Sequence, residues 1–335
     1  MIKNRKYCQK LLFCLVACTL FNLSFSAKIL FASGSNSQNS LEFSKNHTNS
    51  QQNMTELKKK NLNSEKKIIA SFPAFDTSKT NEEIFANNLP RNFRDLSETE
   101  AKISAIASGQ FSEEELRAVK QKYPKDKILI VDLRSESHIF INGKPILWRS
   151  EFDSANVGKS TAQITADEQS KIKQIINAKK IIVADNLVKD EKSGWYSSLS
   201  PVLIEVKNAV SEQDLAKELG FGYIRIPVRD HSPPSQLQLN QMVSLIKNTP
   251  ETTKIYVHCA GGKGRTTTFL AIMDILKNVK NNSLEEIIKR QHKANGANLE
   301  KLDQESEWRL KLAEQRIDLL KNFYQKELLK ANMAQ

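Results

Sequence analysis

The run Val257-His258-Cys259-Ala260-Gly261-Gly262-Lys263-Gly264-Arg265-Thr266 constrains this chain more than any other. The apolar stretch Lys254-Ile255-Tyr256-Val257 leads into it and reads as a strand. Residues 266–276 follow and read as a helix, with Phe269, Leu270, Met273 and Leu276 on one apolar stripe. Between strand and helix lies a glycine-rich turn in which a cysteine and an arginine stand five residues apart. His258 precedes the cysteine and Thr266 follows the arginine.

Each residue type there answers a chemical need. A thiol becomes a good nucleophile only as the thiolate, so the pKa of Cys259 must fall. The mouth of a helix lowers it, because unpaired N–H groups and the helix dipole favour negative charge. The backbone N–H groups of Ala260, Gly261, Gly262, Lys263 and Gly264, little obstructed by side chains, form a nest suited to phosphate oxygens. Arg265 adds a planar fork for two of those oxygens, which lysine cannot copy. The Thr266 hydroxyl can donate to the sulfur and help it leave. The pattern points to attack of sulfur on a phosphate monoester. The competing reading, a buried structural cysteine beside a helix cap, explains neither the arginine nor the glycines.

A thiolate that displaces an alkoxide needs a general acid on a separate loop facing it. Arg229-Asp230-His231-Ser232-Pro233-Pro234 lies between an expected strand and an expected helix and offers Asp230 as that acid. His231 would hold the carboxyl or bind substrate. Alone, Asp230 beside prolines reads as a turn or cap residue; the cysteine loop downstream favours catalysis. Asp132-Leu133-Arg134-Ser135-Glu136-Ser137-His138 is polar at a strand end, where α/β sheets form ligand crevices. Asp132 and Arg134 would equally form a structural ion pair. No Cys/His cluster has ligand spacing, and the sulfur chemistry calls for no metal and no cofactor.

The first 66 residues differ from the rest. Lys3, Arg5, Lys6 and Lys10 precede a mostly apolar stretch from Leu11 to about Ala27, as in an export signal cleaved near Ser26. Two other readings are a lipoprotein signal over 1–17, through Leu15-Val16-Ala17-Cys18, and an uncleaved anchor. Membrane attachment is expected only through a lipidated Cys18. Residues 27–66, rich in Ser, Asn, Gln and Lys, read as a disordered linker. Three of the four cysteines fall in the signal, so an exported chain cleaved near Ser26 keeps Cys259 alone and has no disulfide framework. The whole chain carries a formal net charge of +12, which residues 1–26 supply in part. No nucleic-acid motif accompanies it, so the balance suits solvated helices or a small polyanionic partner.

Residues 67–335 read as one α/β domain. A capping box, Ser112 with Glu115, starts a helix over 113–122. Strands are expected at 127–133, 180–184, 202–206 and 223–227. Asn142-Gly143 joins 139–141 to 145–148 as a hairpin. Helices are expected over 166–178 (starting after Thr165), 211–219 (ended by Gly220), 235–247, from Ser283 (capped with Glu286), and over about 303–329. The hairpin-rich middle, around 139–206, suggests a small β-rich insert.

These residues resemble the cysteine phytases, protein-tyrosine-phosphatase-like inositol polyphosphatases of the protein-tyrosine-phosphatase superfamily. The likeness rests on His-Cys-x-x-Gly-x-Gly-Arg-Thr and extends over about 85–328. It includes Leu89-Pro90-Arg91-Asn92-Phe93-Arg94, Ser108-Gly109-Gln110-Phe111-Ser112, the 132–138 run, Asn142-Gly143-Lys144-Pro145 with Trp148, Asp153-Ser154-Ala155-Asn156, Arg225-Ile226 with Asp230-His231, and Arg290-Gln291-His292. The resemblance implies a protein-tyrosine-phosphatase-like fold, a central twisted sheet flanked by helices, with a small partial β-barrel addition. It also implies a pocket for highly phosphorylated inositols. Cys259 is then the nucleophile, Arg265 the scissile-phosphate ligand and Asp230 the acid. Arg94, Asp153, Arg309 and Arg316 stand at pocket positions, with Lys311, beside Trp308, and Lys189 or Lys192 as further contacts. This chain departs from the family at Ser232, where a tryptophan is common, and at Lys263, where a small or apolar residue is common.

The function expected is stepwise removal of phosphates from inositol polyphosphates through a phosphocysteine intermediate. Two other readings remain: a phosphatase of phosphotyrosine proteins or phosphoinositide lipids, delivered into a host cell, and a non-catalytic polyanion-binding domain. The intact Cys, Arg, Thr and Asp set opposes the last.

Overall fold

The computed structural model describes residues 72–76, 88–185, 187–189, 196–198, 201–302 and 306–333. The export segment and linker expected over 1–66, and Lys192, lie outside the described residues. Strands β1 (Phe72–Phe75), β2 (Arg94–Asp95) and β3 (Ala105–Ser108) come first, then helix α1 (Glu113–Lys122) and the long strand β4 (Lys127–Arg134). The hairpin β5 (His138–Ile141) and β6 (Lys144–Arg149) leads through a single 3-10 turn (Glu151–Asp153) to α2 (Thr161–Ala178). Short strands β7 (Lys180–Val183), β8 (Leu187–Lys189), β9 (Tyr196–Ser198), β10 (Val202–Glu205) and β11 (Ala209–Ser211) follow. Then come α3 (Glu212–Glu218), β12 (Gly222–Val228), α4 (Gln236–Asn248), β13 (Thr253–His258), α5 (Gly264–Asn278), α6 (Leu284–Lys293) and α7 (Glu307–Met333).

The central sheet has the order β12-β4-β13-β3-β2. Its first four strands are parallel, and only β2 runs antiparallel, against β3. A parallel sheet needs helices on both faces, and here it has them. Leu239, Phe269, Leu270, Ile272, Ile287 and Leu320 from α4 to α7 pack one face. Leu116, Val119, Leu215 and Ala216 from α1 and α3 pack the other with Phe111, Phe140 and Tyr256. Burial on both faces explains why β4 is an unbroken apolar run rather than an alternating one. The parallel strands all end at one edge, and His258 pairs with both Ser108 and Asp132 there. The loops after β3, β4, β12 and β13 therefore converge, as crevices do at the carboxyl ends of α/β strands.

The β-rich addition is a second sheet, β1-β6-β5-β11, antiparallel throughout. Ile139, Ile141, Ile146 and Trp148 from its hairpin pack on Ile172 and Ile175 of α2. The Asn142-Gly143 turn has positive φ at both residues, 51° and 76°, as the hairpin pattern requires. A two-stranded ribbon of β7 and β10 continues this layer. The sheet recruits β1 and β11 from outside the expected 139–206 segment, because the hairpin alone leaves both of its edges unpaired.

Several expected boundaries move. Helix α2 begins at Thr161 rather than after Thr165, because Ser160 and Gln163 form a capping box one turn earlier. Helix α5 begins at Gly264 and has no single apolar stripe: Arg265 to Ile272, Asp274 and Ile275 are all buried, whereas Met273 and Leu276 are only partly so. Neighbours on nearly every side, the sheet and helices α4, α6 and α7, override amphipathic patterning there. Helix α7 spans 307–333 rather than about 303–329, with 303–305 outside the described residues. No helix among the described residues is long and apolar enough to cross a membrane.

Candidate active site

Cys259 begins the loop between β13 and α5. The loop's shape is fixed from outside. Arg91 Nη2 and the Gln110 backbone N–H donate to the Ala260 carbonyl, at 2.7 and 2.9 Å. Asn92 Nδ2 donates to the Gly261 carbonyl at 2.8 Å, and Arg94 Nη1 to the Gly262 carbonyl at 2.9 Å. Three consecutive carbonyls are thus tied outward. A planar trans peptide sets the next N–H opposite its carbonyl, so the amides of Gly261, Gly262 and Lys263 turn inward, to the side away from those donors. That is the nest the sequence suggested.

Only one loop glycine is sterically required. Gly262 has φ +69°, and a Cβ there would sit 2.3 Å from the Gly109 nitrogen and 2.5 Å from the Ser108 carbonyl. Gly261 has open space, and a Cβ on Gly264 would meet only the Arg316 guanidinium at ordinary contact distance.

The sulfur is buried, with Cys259 2% exposed. Burial alone pushes its thiol up, but the Arg265 guanidinium and the hydroxyl and backbone N–H of Thr266 outweigh it, and the pKa falls below the ordinary value of 9.0. Thr266 Oγ1 is buried and committed to no other group, and its hydroxyl contributes to lowering the Cys259 pKa.

Arg265 is held by Glu136, which accepts from Nη1 at 2.8 Å and Nη2 at 3.0 Å. Nη1 also donates to the Val228 carbonyl at 3.1 Å. The outer edge of the guanidinium remains: Nε is buried without a partner, and Nη2 lies 3.2 Å from Asp230 Oδ1. The fork predicted for phosphate is therefore the Nε–Nη2 edge, the opposite one being fixed by Glu136. Asp230 is about one quarter exposed at its side chain. Burial raises its pKa, but Arg265 and then His231 outweigh it, leaving the carboxyl below 3.8 and ionised. The backbone N–H of His231 donates to Asp230 Oδ1 at 2.9 Å. Thus the main chain of His231, rather than its ring, holds the carboxyl.

His258 does not face the loop. Its Nε2 meets Glu212 Oε1 at 2.7 Å, and its ring lies 5.0 Å from that of Phe111. Burial lowers the His258 pKa, but Glu212 outweighs it, and the net shift is upward. Gln110 Nε2 donates to Glu212 Oε2 at 2.8 Å, and His138 Nε2 lies 3.2 Å from the same oxygen. Asp132 and Arg134, expected as a possible mutual pair, take other partners. Asp132 binds Arg225 at 3.1 Å and accepts from Tyr223, while Arg134 binds Asp76 and, at 2.9 Å, Glu136. Among the described residues two trios have metal-capable groups, Asp132-His138-Glu212 and Asp153-Asp230-His231. Arginines already engage carboxylates in both.

The remaining expected residues separate into two groups. At the mouth, Asp153 lies 3.4 Å from His231 Nε2 and 3.7 Å from Arg149, and Arg316 donates to the His231 carbonyl. Arg309 lies 5.4 Å from the Trp308 ring centroid. Below it, Arg94 is nearly buried and braces the loop through Gly262, so its Nη1 is committed there. Lys263, where the sequence departs from the family it resembles, donates to the carbonyl and the side-chain oxygen of Asn295, both at 2.7 Å. Lys311 is exposed on α7, and the side chain of Lys189 lies outside the described residues. Sequence reasoning missed Glu136 as the Arg265 anchor, Glu212, Asn295, and Arg91, Asn92 and Gln110 as loop braces. Glu136, Arg91, Asn92 and Gln110 stood in runs that resembled a family, whereas Glu212 and Asn295 carried no signal in the sequence.

A profile of the protein-tyrosine-phosphatase-like phytases, described by the words inositol hexakisphosphate, matches residues 131–277. The effector protein hopD2 of Pseudomonas syringae pv. tomato is 34% identical over 186 residues, covering 54% of this chain and 38% of the relative. The protein-tyrosine-phosphatase-like myo-inositol phosphatase of Mitsuokella multacida, solved with myo-inositol-(1,3,4,5)-tetrakisphosphate, is 27% identical with a TM-score of 0.67. That match covers 79% of this chain and 46% of the solved one. A protein-tyrosine-phosphatase-like phytase from Bdellovibrio bacteriovorus is 25% identical with a TM-score of 0.59, over 78% of this chain and 90% of its own. The chain thus spans less than half the length of the first two relatives.

Proposed function

Because the chain belongs to the family of protein-tyrosine-phosphatase-like phytases, we propose that it hydrolyses phosphate monoesters of inositol polyphosphates through a phosphocysteine. The observation that carries this reading is the geometry at Arg265, where one edge is anchored by Glu136 and the other meets Asp230 beside Cys259. A phosphate dianion entering the amide nest takes the Nε–Nη2 edge and displaces Asp230. Losing its cation, and gaining a dianion neighbour, the carboxyl rises in pKa and takes up a proton. The thiolate then attacks phosphorus; the S–P bond forms as the P–O bond to the inositol breaks, and Asp230 protonates the leaving oxygen. In the second step Asp230 accepts a proton from water as its oxygen attacks phosphorus. The S–P bond breaks, and the Thr266 hydroxyl stabilises the departing thiolate.

Arg316 and Arg309 on α7 supply positive charge at the mouth, in keeping with a polyanionic substrate and with the inositol tetrakisphosphate bound by the Mitsuokella relative. The effector relative favours a second reading, action on phosphorylated host molecules after export. Rapid quench of the purified protein with inositol hexakisphosphate, followed by mass spectrometry of the Cys259 peptide, tests the intermediate. An added phosphoryl group on Cys259, absent in Cys259→Ser, supports it; turnover with no modified peptide and full activity in the serine variant would refute it.

A further inference from the structure

We propose that Trp308 is the positioning residue that holds the acid loop over Cys259, a role that rests on the hydrolase reading above. Asp230 is carried by a tight turn in which the Ser232 N–H donates to the Arg229 carbonyl at 3.2 Å. His231, next to the acid, has φ +61°, a left-handed conformation uncommon for a residue with a side chain. Such backbone persists where surrounding contacts over-determine it, and α7 supplies them. The indole of Trp308 meets the His231 ring edge-on, with centroids 5.4 Å apart and planes at 83°. On the other flank of the acid, the Arg229 guanidinium lies 5.8 Å from the indole centroid. The residues before and after Asp230 therefore rest on one aromatic side chain.

The clamp reaches a third element. Phe152, itself at φ +50°, meets Trp308 edge-on at 5.7 Å, and its carbonyl accepts from Arg229 Nη2 at 3.0 Å. About two turns along α7, Arg316 donates to the His231 carbonyl. The acid loop, the 3-10 turn and α7 thus share one joint, and Trp308 is the side chain common to all three. The joint is formed with the Asp230 carboxylate 3.2 Å from Arg265, so the loop already stands beside the phosphate edge. When phosphate displaces the carboxylate from that edge, a clamped loop keeps it within reach of the leaving oxygen, and its contribution falls if the loop is free to swing.

The full-length protein tests this through Trp308→Ala in two backgrounds. In the native background, kcat for inositol hexakisphosphate falls about tenfold, part of what a general acid is worth, with KM little changed. In an Asp230→Asn background the same substitution costs nothing further, because no acid is left to position. An equal fall in both backgrounds overturns the proposal and makes Trp308 a merely structural residue. Amide hydrogen exchange reads the clamp without substrate. Exchange at Ser232 accelerates in Trp308→Ala and returns toward native in Trp308→Phe, while β13 is unchanged; unchanged exchange at Ser232 overturns the proposal. Failure of the hydrolase reading shows separately, as a native protein that releases no phosphate while the exchange result stands.

Discussion

Arg265 serves two masters at once, and the variants that separate them are informative. Glu136 fixes one edge of the guanidinium and leaves the other for phosphate. Arg265→Lys cannot occupy both sides and is expected to lower kcat by about 10²-fold or more, measured by phosphate release. Gly262→Ala is expected to abolish activity, since its Cβ would overlap the Ser108–Gly109 backbone; Gly261→Ala, with open space, should keep most of it. The pH profile follows from the two shifted groups. Asp230 lies below its ordinary value and must be protonated to act, so kcat/KM falls as pH rises above its pKa in the free enzyme. Cys259 also lies below its ordinary value, so the thiolate persists to lower pH than that of a free thiol. The optimum is therefore acidic, and Asp230→Asn removes the limb that falls with rising pH. Cys259, Arg265 and Asp230 were legible because loop chemistry writes itself into short spacings. Glu136 was not legible as a partner, because it lies 129 positions from Arg265 and reads as one polar residue in a polar run.

At the scale of elements, strand β13 and helix α3 are joined through His258 and Glu212, both buried. Burial pushes the Glu212 carboxyl up, but His258 and His138 outweigh it and hold it well below 4.5. Its stabilisation is present above that ordinary value and is lost as pH falls through the folded pKa. His258 is shifted up from 6.5, so its share is full below that value and is lost as pH rises through the folded pKa. The pair stabilises most between those limits. Glu212→Gln is expected to cost about 3–5 kcal/mol in denaturant unfolding, most in the mildly acid range, because it leaves an imidazolium buried without its partner. Most long elements were legible, β4 from its apolar run and α1 and α6 from their capping boxes. Strand β3 was not, since four residues, Ala105–Ser108, show no period; pairing with β13 makes it a strand. Helix α5 was misread as one-sided because its environment, not its sequence, buries it all round.

The central sheet places four loop-bearing strand ends at one edge, and Arg309 and Arg316 of α7 come to the same mouth. With a formal net charge of +12 on the chain, attraction of a polyanion should be screened by salt. KM for inositol hexakisphosphate is expected to rise with ionic strength, while kcat changes far less. Fold class was legible at this scale from strands alternating with helices. The closure of the second sheet by β1 was not, because Phe72–Phe75 sits far from its partner β6 in sequence. The proposed preference of this edge for inositol polyphosphates is open to direct measurement. The most direct measurement compares kcat/KM of the purified protein for inositol hexakisphosphate and for a phosphotyrosyl peptide, with EDTA present and Cys259→Ser as control. A strong preference for the inositol substrate, insensitive to EDTA and lost in the serine variant, is expected. A preference for the peptide, or release that survives Cys259→Ser, would contradict it.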